Sequence, residues 1–202
     1  MLPQDFQSTI ERLSTTIEKI KHDAHALHDS VNQKYDHIHP YGLHLDMVVS
    51  SVYKYGAEVC ASEEDILPLF FGAYYHDSIE DARLTYNDVM RLARQLMSDS
   101  QALIATEIVY ALTNDKGRTR EERAGEKYYQ GIRETPYAPF VKLADRLANT
   151  TYSCTHANNT NNRMKEVYER EQPHFLASIT VQSNDLRFSL PQDMLDFLVS
   201  IR

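Results

Sequence analysis

Apolar residues recur along the opening segment at Ile10, Leu13, Ile17, Ile20, Ala24, Leu27 and Val31, in alternating steps of three and four. That spacing gathers them on one narrow stripe of an amphipathic helix. The stripe can pack on the rest of the domain or on a second copy in a homo-oligomer, and the intramolecular reading is preferred. A polar loop over residues 32–40 leads to a second helix with Leu45, Val48, Val49 and Val52 turned inward. Ser62 with Asp65 has the form of a capping box. The helix it opens, ILPLFFGAYYHD, is apolar nearly all round and is expected to cross the core. Thr85 with Asp88 marks the next N-cap, ahead of VMRLARQLM, and a further helix is expected over residues 101–112. The stretch TNDKGRTREERAGEKYYQGIR is polar and rich in cations, with Gly117 as a breaker. Pro136 and Pro139 open FVKLADRLANT as a helix. The Asn-rich loop HANNTNN separates it from RMKEVYERE, Pro173 is expected to interrupt before HFLASI, and Pro191 sits where a last helix begins. Strand-like alternation is confined to TVQSNDLRFSL, which suggests a minor β-hairpin near the C-terminus. No repeat or long linker divides the chain, so the expected fold is a single all-α domain over residues 1–202.

Composition narrows the function. The 202 residues can bury a core without disulfides. With 21 basic and 29 acidic residues the formal charge is −8, which disfavours long nucleic acid as a partner. A small phosphorylated ligand needs only a local cluster of cations. The two cysteines, Cys60 and Cys154, form no CxxC pair and point to a reducing interior. The first residues lack a basic region followed by an apolar stretch, and no apolar run is long enough for a bilayer. A cytoplasmic protein, away from membranes, is the expectation.

The candidate chemistry lies at the end of the apolar helix. His76 and Asp77 close it, and Glu80 and Asp81 follow one helical turn on. Such groups are costly in a core without partners. Asp145 and Asn149 share one face of FVKLADRLANT, and His44 stands beside Leu45 and Val48 on the second helix. His44, His76, Asp77 and Asp145 can therefore supply ligands to one divalent ion; a salt-bridged structural cluster is the alternative. Mixed imidazole and carboxylate ligation suits Mn²⁺, with Fe²⁺, Co²⁺, Zn²⁺ or Mg²⁺ as lesser candidates. Glu80 and Asp81 are placed to orient or deprotonate a water. His-Asp also occurs at His22-Asp23 and His28-Asp29, which read as solvated positions on the polar face of the first helix. Among Lys116, Arg118, Arg120, Arg123 and Lys127, interleaved with Glu121, Glu122 and Glu126, either at least one contacts phosphate or all lie on a solvated helix. Tyr35 and Tyr41 can stack on a purine, and Tyr41 can equally support His44. His37 and His39 are expected to be exposed.

Three motifs carry a family resemblance: HDSIED, LADRLANT, and Pro40-Tyr41-Gly42-Leu43-His44. Their order and spacing resemble the hydrolase domain of RelA/SpoT-type alarmone enzymes, most closely the small single-domain alarmone hydrolases, some of them on phages and prophages. The resemblance covers roughly residues 5–172. It implies an all-α HD-domain fold, one Mn²⁺, and removal of the 3′-pyrophosphate from guanosine tetra- and pentaphosphate or their adenosine analogues. By motif position His44, His76, Asp77 and Asp145 match the metal ligands, and Glu80 and Asp81 match the pair that activates water. Asn149 matches a residue near the nucleotide, Arg163 and Tyr168 resemble late substrate-site positions, and Lys34 falls where the family has a cation for base or phosphate. The stretch 33–39 departs from the pattern, having one cation, two histidines and no glycine in place of an Arg-Lys pair and a glycine loop. Ala148 replaces the His or Tyr common after LADRL, which widens the pocket. Without a synthetase domain, degradation alone is expected, and a toxin–antitoxin setting is compatible. Two other readings stand beside this one: a different HD phosphohydrolase, such as a nucleoside 5′-monophosphatase or an NADPH phosphatase, and a non-catalytic HD-scaffold antitoxin.

Overall fold

The computed structural model describes residues 1–114, 117–156 and 158–201, the side chains of Glu121 and Asn159 excepted. The chain folds into helices α1 (Pro3–Ser30), α2 (Gly42–Val59), α3 (Ile66–Tyr75), α4 (Tyr86–Ala93), α5 (Asp99–Leu112), α6 (Arg120–Arg123), α7 (Glu126–Glu134), α8 (Ala138–Thr155), α9 (Asn159–Ile179) and α10 (Gln192–Ser200). The all-α class expected from the pattern is therefore the class observed.

Helix α3 is the axis of the structure. All ten of its residues are buried, as its uninterrupted apolar character demands. It packs on α1, α2, α5 and α8. Gly72 lets α5 come close, since a Cβ there would stand 2.6 Å from Ile108 Cγ2. The capping boxes expected from sequence form as Ser62 with Asp65 and Thr85 with Asp88. The first of these turns the chain through a short 3-10 segment (Glu63–Asp65) directly into α3.

Helix α1 lays Phe6, Ile10, Ile17, Ile20 and Ala24 into the same core, so its stripe is satisfied within the chain. The stripe does not end on Val31, which is exposed. It ends on His28, which is fully buried and not solvated as its polar neighbours suggested. Val31 lies just past the end of α1 at its C-cap, whereas His28 is still within the helix, about five full turns from Ile10 and on the same buried face.

Two further expectations are corrected. Helix α9 runs through Pro173 without a break. Proline removes the hydrogen bond to the carbonyl of Glu169, but residues 169 and 173 both face solvent, where water can replace it. Phe175 and Ile179, beyond the proline, are anchored in the core. The segment 180–190 forms no strand; it holds a 3-10 turn at Leu186–Phe188, and Tyr137 N–H donates to the carbonyl of Arg187 at 2.6 Å. Among the described residues the one hairpin pairs β1 (Lys34–Tyr35) with β2 (His39–Pro40), with Asp36 and His37 at positive φ in its turn. Two-residue strands are too short to leave an alternating signature. No described helix is long and apolar enough to cross a membrane.

Candidate metal centre

The C-terminal end of α3 delivers His76 and Asp77 into the middle of the molecule. The chain keeps winding there: Asp81 N–H donates to the carbonyl of Asp77 at 2.8 Å, so Asp81 lies one turn past Asp77. His76 Nδ1 is 2.9 Å from the carbonyl of Ala73, a contact that assigns the proton to Nδ1 and leaves Nε2 as the lone-pair nitrogen. In the first turn of α2, His44 is buried and points its Nε2 to within 3.2 Å of His76 Nε2. Helix α8 contributes Asp145 from its middle, placed there because Phe140, Val141, Leu143 and Ala144 hold that helix in the core.

The spacings suit a single ion. Two ligand atoms about 2.1 Å from a shared ion stand about 3.0 Å apart at right angles and about 4.2 Å apart when opposite. His76 Nε2 lies 2.9 Å from Asp77 Oδ2 and 4.0 Å from Asp145 Oδ1. His44 Nε2 lies 3.6 Å from Asp77 and 3.4 Å from Asp145. His44, His76 and Asp145 each place a ligand atom within 4.8 Å of the others, and Asp77 lies beside this group, 2.9 Å from His76 and 3.6 Å from His44. Two imidazole nitrogens converging with the Asp145 carboxylate form a donor set that fits a divalent cation, with the Asp77 carboxylate adjacent to it.

Burial opposes charge on all four groups, yet their mutual attraction prevails. Burial lowers the His44 pKa, but Asp145 and Asp77 outweigh it and lift it to about 9. Burial likewise works against Asp77 and Asp145, while His76, His44 and, for Asp145, Lys142 hold both well below the usual carboxylate range. Lys142 Nζ is 2.9 Å from Asp145 Oδ2. Tyr41 donates to Asp77 Oδ2 at 2.5 Å, and Asn149 Nδ2 donates to Asp145 Oδ1 at 2.6 Å. Asn149 in turn accepts from Tyr35 at 2.9 Å, and the Tyr35 ring stacks on His44 at 5.1 Å. Each carboxylate is thus oriented by a second residue.

The two candidate acids sit differently. Asp81 is half-buried, accepts from Gln33 Nε2 at 3.1 Å, and has its pKa pushed up to about 6 by burial and by Asp77. Glu80 is exposed and accepts from both the backbone N–H and the side-chain amide of Asn114. That pair ties the end of α3 to the start of the cation-rich segment.

Above the four ligands opens a cleft of about 530 Å³. Of the residues expected at the substrate, Tyr41, Asn149 and Tyr168 line it. Lys34 does not; it is exposed on β1 while Tyr35, its neighbour, turns in, because successive strand residues face opposite ways. Arg163 does not either: it is exposed and lies five residues before Tyr168, about 140° around α9. Tyr35 stacks on His44 and Tyr41 on His28, so each ring has one face already taken. Of the cation-rich segment, Arg120 and Arg123 reach the cleft; Arg118 is exposed, and Lys116 lies outside the described residues. His22 and His25 stay on the outer face, contacting Asp23 at 3.3 Å and Asp46 at 3.1 Å, and His37 is exposed while His39 is half-buried.

Several cleft residues were missed by sequence reasoning: Lys142, Arg146, Arg170 and Glu171. Lys142 and Arg146 share the four-residue spacing of Asp145 and Asn149 on α8, which was the available signal. His28 was also missed; its ring stacks on Tyr41 at 4.6 Å, behind the Tyr41–Asp77 hydrogen bond. No family model, curated protein or solved structure matches this chain.

Proposed function

We propose that the chain is a divalent-metal-dependent phosphohydrolase that removes the 3′-pyrophosphate of alarmone nucleotides, of the guanosine or adenosine type. The observation that carries this reading is the convergence of His44, His76 and Asp145, with Asp77 2.9 Å from His76, at the floor of a cation-walled cleft. Manganese suits that mixture of imidazole and carboxylate. A divalent cation held there supplies Lewis acidity toward a phosphoryl oxygen and acidifies a neighbouring water.

The chain's own residues do the rest. Tyr41 and Asn149 fix the carboxylates of Asp77 and Asp145, so the ligand set stands preformed before substrate arrives. Asp81, one turn beyond Asp77 and titrating near 6, can take up a proton from an attacking water at neutral pH. Glu80 anchors the loop that carries Arg120 and Arg123 to the cleft. Lys142, beside Asp145, and the arginines of the wall neutralise phosphate oxygens. The proposal implies a small nucleotide as ligand and a cytoplasmic setting.

Product analysis tests it. The protein, supplied with Mn²⁺, is incubated with ppGpp, ppApp, nucleoside 5′-monophosphates and NADPH, and Asp77→Ala is run alongside. Pyrophosphate released from a 3′-pyrophosphorylated nucleotide by the wild type alone is the expected result. Orthophosphate from a monophosphate or NADPH, or no turnover at all, overturns it.

A further inference from the structure

The wall of the cleft opposite the metal ligands contains a carboxylate where a phosphohydrolase is expected to keep only cations. Glu171, on α9, accepts a two-pronged contact from Arg120, Nε to Oε1 at 2.8 Å and Nη2 to Oε2 at 3.1 Å. The same Oε2 accepts from Arg146 Nη2 at 3.2 Å. The paired geometry of Arg120 on Glu171 is the geometry in which arginine grips phosphate. Burial would raise the Glu171 pKa, but the two arginines hold it below its ordinary value, so the bridge is ionic at neutral pH.

Arg146 supplies the second, independent observation. It is 7% exposed, and its guanidinium lies between the rings of Tyr168 at 4.7 Å and Phe175 at 4.3 Å. Both rings crowd the guanidinium and leave few of its donors free to bind. Its Nη1 is buried with no hydrogen-bond partner in the protein. A buried charged donor without an acceptor is costly. Arg146 and Arg120 both line the cleft, so an anion entering it can reach them.

We infer that Arg146 and Arg120 form an anion site for a phosphate or diphosphate group, separate from the metal ligands, and that Glu171 holds the site in the free protein until the ligand displaces it. This rests on the cleft being the substrate site of the proposed hydrolase, but the site itself is defined by its own contacts. A dianion has more oxygens than the carboxylate and can satisfy Arg146 Nη1 as well as the donors Glu171 now engages. Glu171 keeps the two guanidiniums paired and prevents weakly charged anions from settling there. It acts as a specificity-determining residue, favouring ligands whose charge exceeds its own.

The test uses inorganic pyrophosphate as the probe, titrated calorimetrically into the full chain freed of divalent metal on a chelating resin. Glu171→Gln keeps the size of the side chain and removes its charge; it is expected to tighten pyrophosphate binding about tenfold. Arg146→Met keeps the packing between Tyr168 and Phe175 and is expected to weaken binding by at least about tenfold. Circular dichroism confirms that each variant is folded. Unchanged or weaker binding by a folded Glu171→Gln overturns the displacement, and unchanged binding by a folded Arg146→Met overturns the site. A parallel Mn²⁺ titration separates the two proposals. Wild-type protein that takes no Mn²⁺ but shows both pyrophosphate effects retains the anion site and loses the hydrolase reading. Protein that takes Mn²⁺ and shows neither effect does the reverse.

Discussion

Replacing His28 with phenylalanine is expected to remove a loss of stability that the wild type suffers on acidification. The His28 imidazole is completely buried, stacked on Tyr41, and neither ring nitrogen has a hydrogen-bond partner. Burial lowers its pKa to about 4 from an ordinary 6.5, with the Asp77 charge opposing only part of the shift. The sign follows from proton uptake. Between those two values the unfolded chain binds a proton at this residue and the folded chain does not, so falling pH favours unfolding. Nothing is lost above about pH 7, roughly 2 kcal/mol is lost at about pH 5, and roughly 3 kcal/mol is lost at about pH 4. Phenylalanine keeps a flat ring against Tyr41 and cannot titrate. Urea unfolding of metal-free wild type and His28→Phe, followed by circular dichroism at about pH 8, 6 and 5, isolates the effect, because titrating groups distant from His28 cancel in the difference. The variant is expected to gain about 2 kcal/mol on the wild type between the two extremes. Parallel stability curves would refute the reasoning, as would a wild type that gains on the variant in acid, which would mean that His28 is protonated inside the fold.

Other consequences are equally open to measurement. The elevated pKa of His44, about 9 in the metal-free protein, means that Mn²⁺ must displace a proton. Apparent affinity is then expected to rise at least about tenfold per pH unit up to about pH 9, more steeply at the lower end where His76, lowered by burial but raised more by Asp77, must lose its proton too, and to level off above about pH 9, read by Mn²⁺ titration in non-coordinating buffers. Tyr41→Phe removes the donor to Asp77 and is expected to weaken Mn²⁺ binding about tenfold, with the melting temperature nearly unchanged. Gly72→Ala places a methyl against Ile108 at the α3–α5 crossing, and urea unfolding is expected to show a cost of about 1–3 kcal/mol.

The parts of this molecule that could be read in advance were those with local causes. Helix α3 announced itself because ten consecutive residues had no polar face, and His76-Asp77 drew attention because that helix left them no route to water. Capping boxes at Ser62 and Thr85 are four-residue patterns and appeared where expected. The failures have non-local causes. His28 sits beside Asp29 in a polar stretch, and only the packing of α1 against Tyr41 buries it. Lys34 and Tyr35 exchange roles through a one-residue difference in strand facing, in a hairpin too short to betray its register. Helix α9 survives Pro173 because the freed carbonyl faces solvent and Phe175 is held from the far side. Glu171 meets Arg120 and Arg146 across sequence separations of 51 and 25 residues, which no motif encodes.

Calorimetric or paramagnetic titration with Mn²⁺ tests the central claim most directly, since the proposed function requires side chains from α2, the end of α3 and α8 to hold one ion. The wild type is expected to bind a single Mn²⁺ per chain, with His76→Ala and Asp145→Ala losing it and Glu80→Gln, which alters only the anchor to Asn114, retaining it. A wild type that binds no Mn²⁺, or a folded His76→Ala that binds it undiminished, would contradict the account.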